Sequence, residues 1–100
     1  MEINGKNVVL NYGLRAMFAW EEMVGKPFEI NTLMDTYCFF YACIIANQDN
    51  PTIDFNEFID ACDKNPSLIE EFNDFMHKEM KKREVIAPKK KAGRPKKNSQ

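Results

Sequence analysis

One hundred residues, 44% of them hydrophobic, suffice for a single domain with one modest core and are too few for two that fold independently. The net charge of −1 conceals a segregation: residues 1–80 hold 5 Lys/Arg against 14 Asp/Glu, or −9, while residues 81–100 hold 9 against 1, or +8. An acidic body argues against nucleic-acid binding by the domain itself, and three cysteines at no metal-ligand spacing argue against a disulfide framework or a zinc site.

The N-terminus, MEINGKNVVL, lacks a basic region and a long apolar run, so no secretory signal is expected and the cysteines should stay reduced inside a cell. Asn4-Gly5 stands between a short arm and the β-branched run Val8-Val9, the turn chemistry of a two-residue hairpin, which should extend to near Tyr12. From Gly13 the period changes. Leu14, Met17, Phe18, Trp20, Met23 and Val24 recur at helical spacing, and Gly25 followed by Pro27 is a stop, so a first helix is predicted over residues 14–24.

Thr32 and Asp35 have the spacing of a capping box at the head of the stretch around which the chain is organised, TLMDTYCFFYACIIAN. Leu33, Met34, Tyr37, Phe39, Phe40, Tyr41, Ile44 and Ile45 cover every side of a helical wheel, which predicts a central helix buried all round. Its uncharged run is about half to two-thirds of the roughly 20 residues that a membrane span needs. Cys38, Cys43 and Cys62 all lie in apolar patterns and read as core residues.

After the turn cluster at residues 47–51, Asp54 and Glu57 predict another capped helix, ending by Asn65 and turning Phe55, Phe58, Ile59 and Cys62 inward. Pro66 then punctuates. Ser67 and Glu70 form a third capping-box pattern, and Leu68, Ile69, Phe72, Phe75, Met76 and Met80 repeat at three to four residues. The fold class expected is therefore mainly α (α+β): a short N-terminal β-hairpin, then about four helices around a central one. Residues 1–85 form the domain, and the lysine-rich residues 86–100 have nothing large to bury and should be disordered when unbound.

Little in the chain points to catalysis or a cofactor. The ending Thr52-Ile53-Asp54-Phe55 with Glu57 looks like half of a calcium loop, but that register puts Pro51 where the loop needs glycine and Ala46 where it needs its first carboxylate. His77, the one histidine, has no cysteine or serine near it in sequence, and no glycine-rich phosphate loop is present. The tail, KKKAGRPKK, is similar to an AT-hook, with Arg94-Pro95 for an A·T-rich minor groove and Lys89, Lys90, Lys91, Lys96 and Lys97 for phosphates. A solubilising or generic polyanion-binding tail is the plainer reading of the same residues.

The plan of the chain resembles the tail assembly chaperones of long-tailed bacteriophages and prophages. The residues that carry the likeness are the Asn4-Gly5 hairpin, Asn11-Tyr12-Gly13 leading into a first helix with Trp20-Glu21-Glu22, the stop Val24-Gly25-Lys26-Pro27, and the aromatic central helix. What the resemblance implies is a small helical protein without enzymatic activity and without cofactors, acting in the host cytoplasm. Such a protein coats the tape measure protein and brings tail tube subunits to it, with room for self-association. Met17, Trp20 and Val24 form one face of the first helix and are assigned as the partner-binding residues, with ordinary core packing as the competing reading for Trp20. The alternative function is a small DNA-binding accessory protein working through its basic tail.

Overall fold

In the structure, a computed structural model that describes residues 1–86, two short strands, β1 (Glu2–Ile3) and β2 (Lys6–Asn7), precede four helices. These are α1 (Leu14–Val24), α2 (Leu33–Ile45), α3 (Phe55–Lys64) and α4 (Ser67–Ile86). No helix among the described residues is long and apolar enough to cross a membrane.

The strands pair antiparallel, Glu2 with Asn7 and Ile3 with Lys6. Asn4 (φ 53°) and Gly5 (φ 78°) both take positive φ, as a type I′ turn requires, and these residue types tolerate that region best. The hairpin is shorter than expected: Val8 still exchanges backbone hydrogen bonds with Met1, but the chain then leaves the ladder. Val9 turns instead to a side chain. Asn50 accepts from its N–H through Oδ1 (2.8 Å) and donates to its carbonyl through Nδ2 (2.8 Å), satisfying both backbone groups as a neighbouring strand would.

The central helix forms as the sequence predicts at its start. Thr32 Oγ1 accepts from Asp35 N–H while Asp35 Oδ2 accepts from the N–H groups of Thr32 and Asn31, closing the capping box. These hydrogen bonds, that from Asn31 foremost, hold the Asp35 carboxyl below its usual range. From Cys38 to Ile44 the helix is enclosed, with only Tyr41 half-buried, and its aromatic rings meet those of α3, of α4 and of Phe28. Phe40 stacks on Phe72 of α4 (4.6 Å between ring centroids) and meets Phe58 of α3 edge to face (4.8 Å). Phe39 lies against Phe28 (4.9 Å), and the Tyr41 hydroxyl donates to the carbonyl of Ile53 (2.6 Å), fixing the approach to α3. Ring pairs of this kind add about 0.5–1.5 kcal/mol each beyond the area they bury.

Burial on all sides fails at the ends. Leu33 is 74% exposed, and Met34 and Ile45 are also open, because α3 and α4 cover the middle of α2 and leave both of its ends free. The other helix starts differ in detail. Asp54 caps α3 by accepting from Glu57 N–H (2.8 Å), but the Glu57 carboxylate turns away to the hairpin, taking Asn4 Nδ2 (2.8 Å) and Lys6 Nζ (3.1 Å). At α4 the expected Ser67–Glu70 box gives way to Asn65, whose Oδ1 accepts from both the N–H and the hydroxyl of Ser67. Ser67 already belongs to the helix, so it cannot serve as its cap. α4 is described as far as Ile86, and the rest of the tail, residues 87–100, lies outside the described residues.

Candidate protein-binding surface

The geometry of α1 decides which residues a partner can reach. Gly25 ends the helix in the left-handed region (φ 82°), its N–H returning to the Glu21 carbonyl, and the Glu21 carboxylate then accepts from Phe28 N–H (2.8 Å). This folds the link back over the helix. Phe28 is thereby placed edge to face against Trp20, with 5.2 Å between ring centroids.

Trp20 points inward. It is 0% exposed, and its indole Nε1–H donates to the backbone carbonyl of Asp35 on α2 (3.0 Å). The assignment of Trp20 to a partner-binding face is therefore corrected: the residue belongs to the core, where the large ring fills the space between α1 and α2 and its polar atom is satisfied. Met17 and Val24 lie half-buried beside it, packed against the same core, so the face they share with Trp20 is turned toward α2. Small residues on that side, Ala16 on α1 and Ala42 on α2, are both fully buried.

The open face of α1 is the neighbouring one. Leu14 (67% exposed) and Phe18 (59% exposed) stand one turn apart, and a shallow groove runs from Phe18 over Ala19 to Ile45 and Ala46 at the end of α2, with Glu22 and Gln48 at its edge. Periodicity places Leu14 and Phe18 on one face and Met17, Trp20 and Val24 on another, but both faces are apolar. Ala16, fully buried, lies on the face that α2 approaches, whereas Arg15 and Glu22 line the open groove with Phe18.

The remaining reactive groups are poorly placed for chemistry. All three cysteines are free and buried; burial pushes the Cys43 thiol up to about 12, the Cys62 thiol up to about 11, and raises that of Cys38. His77 is exposed on α4. Among the described residues no group of three or more His, Cys, Asp or Glu side chains could hold a metal ion. In the segment that looks like half of a calcium loop, Asn50 is committed to backbone groups, its Nδ2 also donating to the Ile44 carbonyl (2.9 Å). The tail residues considered for nucleic acid, Lys89, Lys90, Lys91, Arg94, Lys96 and Lys97, lie outside the described residues. Comparison of the chain with protein-family models, with curated proteins and with solved structures returned no match.

Proposed function

We propose that this chain is a non-enzymatic tail assembly chaperone, which holds the tape measure protein and recruits tail tube subunits to it in the host cytoplasm. The observation that carries the reading is the outward pair Leu14 and Phe18, set on a helix whose opposite face is locked to the core by Trp20. Two large apolar side chains held exposed on one helix face are candidates for an interaction surface, since leaving them in water has no structural benefit. A rigid helix carrying two large side chains one turn apart, continued by Ile45, fits an amphipathic helical client laid alongside it.

The experiment is capture of a segment of a tape measure protein by the purified chain. Burying one phenylalanine is worth about 1.5–3 kcal/mol, so Phe18→Glu should weaken capture roughly tenfold or more while leaving the thermal melt unchanged. Leu14→Glu should act in the same direction. Capture by both variants equal to that of the unaltered chain overturns the proposal.

A further inference from the structure

The Asn4-Gly5 pair does more than close a turn. The backbone nitrogen that follows an asparagine is a latent nucleophile toward the side-chain amide, and glycine, having no side chain, shields it least. Both residues are exposed, and a Cβ added at Gly5 would meet nothing within 4 Å. The Gly5 N–H makes no hydrogen bond among the described residues, so it has no partner to give up before it reacts.

The Asn4 side chain, by contrast, is not free to turn on its neighbour. Its Nδ2 donates to Glu57 Oε2 on α3 (2.8 Å), and the same carboxylate is paired with Lys6 Nζ (3.1 Å). The Asn4 amide comes first, ahead of Lys6, among the groups that hold the Glu57 carboxyl below its ordinary range. This hydrogen bond therefore serves twice. It ties the hairpin to the first turn of α3, and it occupies the amide on which Gly5 would act.

We propose that Asn4 is a site of spontaneous deamidation, restrained by Glu57, whose conversion loosens the hairpin from α3 irreversibly. In the reaction the Gly5 backbone nitrogen gives its proton to solvent and bonds to Asn4 Cγ; the Cγ–Nδ2 bond breaks, and the nitrogen leaves as ammonia with a proton from water. Water then opens the cyclic imide at either carbonyl, leaving aspartate or isoaspartate, so that amide and water become acid and ammonia with no redox change. Either product is an acceptor only at neutral pH, and a carboxylate then faces the Glu57 carboxylate where a donor had been. Isoaspartate also lengthens the main chain within a two-residue turn, whose length sets the pairing of Ile3 with Lys6. Ile3 is fully buried, so a change of register in the turn reaches the core.

Incubation of the full chain at mildly alkaline pH, with peptide mass spectrometry to follow each asparagine, tests this directly. Asn4 should convert to its two acid products while Asn7 and Asn56, which are also exposed, remain amides. Glu57→Ala leaves the Asp54 cap of α3 in place, since that cap binds the backbone of residue 57, and should speed conversion of Asn4 about threefold to tenfold by removing the restraint. Asn4→Asp supplies the product's charge in a residue type that also tolerates positive φ. Its melting temperature should lie below that of the unaltered chain, and adding Glu57→Gln, which restores a donor, should recover part of the loss. The proposal is overturned by an Asn4 that stays an amide, by a Glu57→Ala chain that converts no faster or that converts Asn7 and Asn56 as well, by an Asn4→Asp melt equal to that of the unaltered chain, or by a loss that Glu57→Gln does not ease.

Discussion

The indole of Trp20 and the backbone carbonyl of Asp35 are joined by a 3.0 Å hydrogen bond in the buried seam between α1 and α2. One residue thus ties the helix start at both levels, since the Asp35 side chain closes the capping box while its carbonyl receives α1. Trp20→Phe should keep most of the packing and lose the hydrogen bond, at about 1–2 kcal/mol, whereas Trp20→Ala opens a cavity and should cost about 3–5 kcal/mol. Phe18→Ala, on the open face, should stay within about 1 kcal/mol. Urea melts of the three variants check the order, and a Phe18 loss as large as that of Trp20 would contradict the inward and outward assignment.

Asn50 predicts a sharper effect than its surface position would imply. Its amide serves the N–H and the carbonyl of Val9 and the carbonyl of Ile44 together. Asn50→Ala should destabilise by about 1–3 kcal/mol through the partners it strands. Asn50→Asp should be worse, because an acceptor-only carboxylate would then face two carbonyl oxygens. Chemical denaturation of both variants measures the difference.

Stability should decline at both ends of the pH range, for opposite reasons. Asp35, held by the Asn31 and Thr32 hydrogen bonds, and Glu57, held first by Asn4 and then by Lys6, have folded-state pKa values below their ordinary ones. In the window below about 4 the unfolded chain binds protons that the folded chain does not, so the stabilisation present above that value is lost as pH falls. Asp35→Asn and Glu57→Gln should each flatten this acid limb of a plot of melting temperature against pH.

At the alkaline end the cysteines act in the other direction. With Cys43 raised to about 12 and Cys62 to about 11, the unfolded chain releases thiol protons first, so stability should fall above about pH 8.5. The same burial predicts that a thiol reagent at pH 8 labels the native chain slowly and all three sites at once in denaturant. Rapid labelling of Cys43 in the native state would contradict its enclosure.

Thr32→Ala tests the local signal on its own. Removing the side chain that accepts from Asp35 N–H should cost about 1 kcal/mol of stability without disturbing the core. Loss of the near-ultraviolet tryptophan signal in that variant would mean that the cap also positions α1.

Most features set by neighbours along the chain are legible in the residues alone, the Ser67–Glu70 box, replaced by Asn65, being the exception. The Asn4-Gly5 turn, the stop at Gly25, the Thr32–Asp35 box and the cap at Asp54 each depend on a few adjacent residues, and each is found where the residues place it. Features set by packing are not. α1 carries two apolar faces, and only the approach of α2 decides that Trp20 lies in and Phe18 out. Likewise the apolar wheel of α2 gives no hint that Leu33 and Met34 escape cover, because that depends on where α3 and α4 cross it. Periodicity thus picks out the apolar faces of α1 and takes the inward one for the open one.

Because Asn50 and Glu57 hold the arm of residues 1–9 from more than forty residues away, that arm has none of these anchors until much later residues of the chain have been synthesised. Ile3 and Val8, both fully buried in the finished domain, have no complete site until α3 has emerged. Contacts so distant in sequence close slowly, and the nascent chain carries two uncovered β-branched side chains in the interval. The tight Asn4-Gly5 turn needs no distant partner, so it can form early and keep this arm folded upon itself while its anchors are still being made.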